Sequence, residues 1–358
     1  MHWTQLSRIN LKGRINRFYL LKPFSYIVIF VFAFQSYAQI SDFNHIDFKK
    51  ADSIALGCKD EGLHNLPQLS IKLTSQLTTD VERFRAIYRW VCANIANDYN
   101  SYLKNKRKRE RFKTDSTKLN DWNTNFRKTL FKKLLKDQKT ICTGYAYLVK
   151  ELAQLTNLEC EIVQGYGRVS TTDIEHLDLP NHSWNAVKLN GKWYLCDPTW
   201  ASGIPNPETN RFTFNYNDGF FLANPKLFSI NHYPVEAKWW LLDENIPSFE
   251  NFLANPIIYG KAYENLNLHV TPKLMHHNIK KNETVTFKYQ LKTTHYQPKD
   301  ICLLIDNGFK TRKIKPSSTL IKNKSLTLKH QFKTSGFYDL HLYFGDDLIS
   351  TYTFSVKS

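Results

Sequence analysis

Apolar side chains recur every three or four positions between residues 79 and 97, at Val81, Phe84, Ile87, Tyr88, Val91 and Ile95. That spacing predicts one buried helical face, and Thr79 or Asp80 stands where an N-cap is needed. Residues 126–136 repeat the pattern. So do Tyr145, Leu148, Leu152 and Leu155, behind a cysteine at 142. Thr156-Asn157 turns the chain, and the period then changes from 3.6 to 2. Residues 159–169, 183–189 and 192–197 read as strands, the last two separated by Asn190-Gly191 alone. Asn-Gly between alternating runs is the signal of a type I′ hairpin. After Asn255-Pro256 come short alternating runs at 266–270, 284–291, 301–305, 309–314, 326–332, 338–344 and 349–356, with Asn307-Gly308 marking a further tight turn. Seven strands in about a hundred residues predict an immunoglobulin-like β-sandwich, and the Gly-Phe-Tyr at 336–338 is placed like a tyrosine corner.

Charge adds a compartment. The first 38 residues carry Arg8, Lys12, Arg14, Arg17 and Lys22 and no acid. An apolar run at 26–34 follows, then Ser36 and Ala38 either side of Tyr37. These are the three regions of a secretory signal peptide cleaved after Ala38; the alternative is an uncleaved anchor. Export to a periplasm, a cell envelope or the medium is the expectation. Removing the segment lowers the formal charge from +17 to +12. A basic exported chain favours anionic surroundings. The most basic stretch, residues 104–123 with KNKRKRER, reads as a solvated insertion loop able to meet an anionic envelope polymer. It has no interleaved aromatics and no nucleic-acid fold signal, which argues against nucleic acid as partner. The six cysteines are unevenly spaced, so neither a disulfide framework nor a metal site is expected, and no cofactor is implied.

The hairpin places chemistry. With Leu189 opposite Lys192, paired positions run on to His182 opposite Thr199 and Trp184 opposite Asp197. His182, Trp184 and Asp197 then project from one face, and His182 and Asp197 are diagonal neighbours. Cys196 points to the other face. A carboxylate against a histidine orients the ring and stabilises its charged form. A cysteine at a helix N-terminus has a depressed pKa, because backbone N–H groups and the helix dipole favour the thiolate. Cys142, His182 and Asp197 are therefore candidates for nucleophile, base and orienting acid. Each also has a plainer reading: a small buried apolar residue, a strand-end polar residue and a turn-forming Asp-Pro.

ICTGYAYLVKELAQLTNLECEIVQGYG resembles the cysteine segment of the transglutaminase-like superfamily, and NHSWNAVKLNGKWYLCDPTW resembles its histidine–aspartate hairpin. Cys142, His182 and Asp197 fall on the family's nucleophile, base and acid. FFLANPKLFSINHYPVEAKWWLL, at 220–242, is similar to the segment after the core in the kyphoscoliosis-peptidase branch, with His232 on its histidine. No catalytic role carries over to His232. The resemblance spans about 79–242. It implies an α+β, papain-like core, the cysteine helix packed on an antiparallel sheet, and acyl transfer from a protein or peptide substrate. Hydrolysis and cross-linking to an amine remain open, as does an inactive module that only binds a peptide or polymer. The expected organisation is a signal peptide (1–38), a transglutaminase-like domain (39–245), a linker (246–262) and the sandwich (263–358).

Overall fold

The computed structural model describes residues 39–206, 209 and 211–358. The signal peptide and its cleavage point after Ala38 lie outside the described residues. Among the described residues, no helix is long and apolar enough to cross a membrane.

Helices α1 (Lys49–Gly57), α2 (Leu66–Thr74) and α3 (Asp80–Asn94) open the chain. Thr79 caps α3 through a reciprocal capping box with Glu82, a contribution of about 1 kcal/mol. The α3 face anticipated from the sequence is buried. Beyond Asn94 the backbone becomes extended and residues 96–97 pair with 139–140.

Two helices lie between those paired segments: α4 (Tyr99–Phe112) and α5 (Ser116–Asp137). The basic stretch expected as a solvated loop is thus a helical hairpin. Lys, Arg and Glu are strong helix formers, and Asp98 and Asp115 cap the two helices by accepting from Ser101 N and Lys118 N. A small apolar seam closes the pair, with Phe126, Leu130 and Ile141 packed under Tyr102 and Trp122. No α4 side chain is fully buried, so the charged run was a sound sign of exposure but not of irregular backbone.

Helix α6 (Cys142–Gln154) packs Tyr145, Ala146, Val149, Leu152 and Ala153 into the core. Against it lie strands β1 (Cys160–Gly167), β2 (His182–Leu189) and β3 (Lys192–Cys196). After β3 the chain forms the short helix α7 (Pro198–Ser202), and later β4 (His232–Pro234) joins the sheet. The four-stranded order is β3-β2-β1-β4. Asn185 in β2 donates its amide to the Ala146 carbonyl at 2.9 Å, fastening the cysteine helix to the sheet. This is the α+β core with its cysteine helix on an antiparallel sheet. The hairpin register is Leu189 with Lys192 through Asn185 with Cys196. The further pairs expected, His182 with Thr199 and Trp184 with Asp197, are not made. Pro198 has no N–H for the ladder and starts α7, with Asp197 as its N-cap.

The segment expected as a linker is also folded. β5 (Ile257–Ile258) pairs with the last strand of the chain, and α8 (Gly260–Asn265) follows it. The buried Arg168 guanidinium donates to the Asn255 and Pro256 carbonyls at 2.6 and 3.1 Å. Asn231 Nδ2 donates to Ile258 O at 3.1 Å, and Asn217 Nδ2 to Gly260 O at 2.8 Å. Residues 246–262 are therefore a bonded joint with buried Phe252 and Ile258.

The rest of the chain forms β6 (Leu266–Thr271), β7 (His276–Lys280), β8 (Thr284–Leu291), β9 (Ile301–Asp306), β10 (Thr311–Ile314), β11 (Ser318–Lys322), β12 (Ser325–Gln331), β13 (Gly336–Phe344) and β14 (Asp347–Lys357). One sheet runs β6-β8-β12-β11; the other runs β7-β14-β13-β9-β10, with β5 also on β14. Two of these strands, β7 and β11, were not anticipated. Their alternation is too polar to stand out (HHNIK, STLIK). Tyr338 does act as a corner: its hydroxyl donates to the Thr334 carbonyl at 3.1 Å.

The joint gives a stability prediction. A Cβ on Gly219 would lie 2.2 Å from the Tyr263 carbonyl carbon in α8. Backbone cannot yield as a flexible side chain can. Gly219→Ala should lower unfolding free energy by about 1–3 kcal/mol, read from the urea midpoint. An unchanged midpoint would mean that α8 is free to move away.

Candidate active site

Three elements meet at one end of the core. The first residue of α6 is Cys142, the first of β2 is His182, and Asp197 caps α7. Asp197 is fully buried and divides its oxygens. Oδ1 accepts the backbone N–H groups of Thr199 and Trp200 at 2.9 and 3.1 Å. Oδ2 takes His182 Nε2 at 2.6 Å. That leaves the other ring nitrogen of His182 for the Cys142 thiol, which lies near enough for each group to shift the other's pKa. The structure thus brings together the three residues singled out from the sequence. Asp197 reaches its place as a helix cap, although the strand pairing first expected for it is absent. Cys196, paired with Asn185, lies near Cys160, and both thiols are buried.

His232 adds a contact that sequence reasoning left without a role. Its Nε2 lies 3.1 Å from the same Asp197 Oδ2, and its Nδ1 lies 3.2 Å from the Phe228 carbonyl. The ring stacks on Phe228 with centroids 3.6 Å apart. β4 carries it there through the pair Gly167–His232. Trp200 was also overlooked. It stacks on His182 at 4.9 Å and lines the cleft beside it. The Trp in Asp-Pro-Thr-Trp, three residues past the acid, was the available signal.

The electrostatics follow from burial and pairing. Burial alone would lower the His182 pKa, but the Asp197 charge and hydrogen bond outweigh it and push it up to about 10. Burial would likewise raise the Cys142 thiol; the hydrogen bond and charge of His182 bring it below the ordinary thiol value. Asp197 is held well below the usual carboxylate range, because the histidines outweigh its own burial. His232 behaves oppositely. Burial dominates, its pKa falls to about 4, and the ring is neutral at pH 7. A neutral ring has one N–H to give, and the carboxylate is the stronger acceptor. His232 therefore donates to Asp197 without competing for charge. His182, Asp197 and His232 ligand atoms lie within 4.8 Å of one another. They are already bonded together as an imidazole–carboxylate–imidazole chain, so the group needs no metal to be satisfied.

These shifts set a pH dependence. The thiolate should persist well below the ordinary thiol range and lose its imidazolium partner only as pH rises through about 10. Alkylation of Cys142 by iodoacetamide should therefore be rapid at pH 6–7, roughly where free thiols react slowly. A rate that rises only above about pH 8.5 would mean the ion pair does not form. Stability has the opposite limits. The His182 contribution is present below its unfolded pKa of about 6.5 and is lost as pH rises toward about 10. The Asp197 contribution is present above about 3.9 and is lost on acidification.

A cleft of about 400 Å³ opens over Cys142 and His182. Tyr99, Tyr102 and Lys106 of α4 form one wall; Ile257, Tyr259 and Tyr263 of the joint form another.

The profile of the Transglutaminase-like superfamily matches residues 67–198, which hold Cys142, His182 and Asp197. Residues 67–198 form a transglutaminase-like domain. Its branch is the kyphoscoliosis-peptidase-like one. The chain is 35% identical over 190 residues to kyphoscoliosis peptidase of Homo sapiens, covering 52% of this chain and 26% of that protein. The Mus musculus protein of the same name is 34% identical over 190 residues, with the same coverage. Hillarin of Drosophila melanogaster is 26% identical over 221 residues, 58% of this chain and 24% of that protein. The chain thus spans about a quarter of the length of these relatives.

Proposed function

We propose that the chain is a cysteine-dependent acyl-transfer enzyme acting on a protein or peptide, with Cys142, His182 and Asp197 as its triad. The observation that carries this reading is the His182 imidazole, held by a buried carboxylate at one nitrogen and facing a helix-start thiol with the other. The Cys142 thiolate attacks an amide carbonyl, and its backbone N–H at the start of α6 is one donor to the oxyanion. As the tetrahedral intermediate collapses, the C–N bond breaks and His182 gives its proton to the departing amine. The thioester is then cleaved by water, with His182 now accepting a proton, or by a lysine amine. Two of the relatives are named peptidases, which favours water as acceptor. Transglutamination by the same acyl-enzyme is the second reading.

The test is substrate profiling of a complex proteome with wild type and Cys142→Ala, scoring new N-termini and new isopeptide cross-links together. New N-termini specific to wild type support peptidase action; cross-links alone support transglutamination. The absence of both products would overturn the reading. We further propose that the enzyme acts after export, on the strength of the basic, apolar and small-residue order in residues 1–38. Mass spectrometry of material from producing cells should then find Gln39, or its cyclised form, at the N-terminus. An intact Met1 on active protein would overturn this. An anionic envelope polymer at the basic α4–α5 hairpin would add retention that falls steeply with salt.

A further inference from the structure

Asp197 accepts from four donors, and only one of them belongs to the triad. Two are backbone N–H groups of α7; the fourth is His232, 3.1 Å from the same oxygen that takes His182. His232 lies outside residues 67–198, so the matched family profile does not include it. It comes from β4, whose place is fixed by bonds away from the triad. Arg168 N donates to Asn231 O at 2.8 Å, and Asn231 Nδ2 donates to Arg168 O at 2.7 Å and to Ile258 O in the joint at 3.1 Å. The partner of His232 in β1 is Gly167, where a Cβ would lie 2.9 Å from the His182 Cβ. The His232 ring is enclosed by Phe228, Trp200 and Trp184, with centroids 3.6, 4.3 and 5.1 Å away. Asp197 and the His182 ring, 5.6 Å away, face it. The nearby Tyr263 hydroxyl is turned instead to Leu227 O and Asn231 Oδ1.

A neutral imidazole has one N–H, and His232 stands between two acceptors, Asp197 Oδ2 at its Nε2 and the Phe228 carbonyl at its Nδ1. The carboxylate is the stronger acceptor and, being fully buried, the costlier one to leave short of donors. The His182–Asp197 pair is buried as well. There an ion pair competes with its neutral form, a carboxylic acid beside a neutral imidazole, because burial penalises both charges. A hydrogen bond to the charged form favours that form. We propose that His232 is a positioning residue for the reaction: its Nε2–H keeps Asp197 ionised and turned to His182, and through His182 it keeps Cys142 in its reactive form. The proposal rests on the acyl-transfer reading. A packing role alone would need the ring and not its N–H.

The test separates those two properties. His232→Phe keeps an aromatic ring and loses the donor. His232→Gln loses the ring and keeps an amide N–H about where Nε2 stood. Stability and reactivity should therefore rank the variants in opposite orders. In a thermal melt His232→Phe should stay nearer to wild type than His232→Gln. Alkylation of Cys142 by iodoacetamide needs no turnover. His232→Phe should displace its pH profile about one pH unit upward, so that the acid limb reacts about ten-fold more slowly at a given pH; His232→Gln should stay within about three-fold of wild type. On a substrate found by proteome profiling, kcat should follow the alkylation rates, with KM little changed. An unmoved profile in His232→Phe overturns the proposal, and so does a loss in both variants that tracks the melt. If His232→Phe does not fold, the wild type decides. Its histidine ¹H–¹⁵N NMR spectrum at pH 7, with His232 assigned by its absence in His232→Gln, should show this ring protonated at Nε2. A proton on Nδ1 alone overturns the proposal. If wild type turns over no substrate, the acyl-transfer reading fails, and the alkylation profiles and ring tautomer still decide whether His232 sets the state of the thiol.

Discussion

Cys142→Ala is expected to abolish acyl transfer, a fall on the order of 10⁵-fold or more, with the fold intact. The size follows from what the residue does in the proposed reaction: without sulfur there is no thioester, and His182 has no proton to manage. Its packing role is small by comparison. Cys142 sits at the edge of the core, 9% exposed, at the first position of α6. The deeper anchors of that helix are Tyr145, whose hydroxyl donates to Ile95 O at 2.6 Å, and Ala146, whose carbonyl accepts from Asn185. Removing one sulfur from the rim should change unfolding free energy by only about 1 kcal/mol. The measurements are steady-state turnover and a thermal melt on the same preparation. Retained activity in the variant would remove Cys142 from the chemistry. A collapse of the melt would return it to the core.

How much of this was legible in the sequence depended on the range of the interaction that decides each feature. The β2–β3 register was legible because Asn190-Gly191 sets it locally, and every observed pair follows from Leu189 opposite Lys192. The cysteine helix was legible from its period. Asp197 was half legible: its partner was right, but its route was misjudged, because Asp-Pro both ends a strand and caps a helix, and the helix prevailed. The place of His232 was not legible. It depends on β4 pairing with β1 across some seventy residues of chain, and three residues of strand leave little periodic trace. The joint at 246–262 misled for a physical reason too. Asn255-Pro256 reads as punctuation, yet its two carbonyls accept from the two terminal nitrogens of the Arg168 guanidinium.

Asp197→Asn tests the geometry of the site most directly, because the carboxylate serves two sets of donors at once. Oδ1 accepts from the α7 backbone, and Oδ2 accepts from His182 and His232. An asparagine has only one acceptor. Backbone N–H groups cannot change direction, so the amide oxygen should stay with Thr199 and Trp200, and the amide N–H₂ should turn toward the histidines. His182 must then accept at Nε2 and carry its proton on Nδ1, the nitrogen that faces Cys142. That is the wrong tautomer for taking a proton from the thiol. In a serine-type triad the analogous change costs about 10⁴-fold. A thiol ionises far more readily than a hydroxyl, so the loss here should be about 10–10³-fold in kcat. The imidazolium also loses its counter-charge, so the His182 pKa should fall from about 10 and the Cys142 thiol pKa should rise with it. Stability should fall less than activity, since the α7 cap survives; His232, neutral and stacked on Phe228, can still turn its own N–H to the Phe228 carbonyl. The rate of Cys142 alkylation against pH, in wild type and Asp197→Asn, reads the thiol directly. A curve displaced to higher pH in the variant is the expected result. Superimposable curves with full activity would leave Asp197 as the cap of α7 and nothing more.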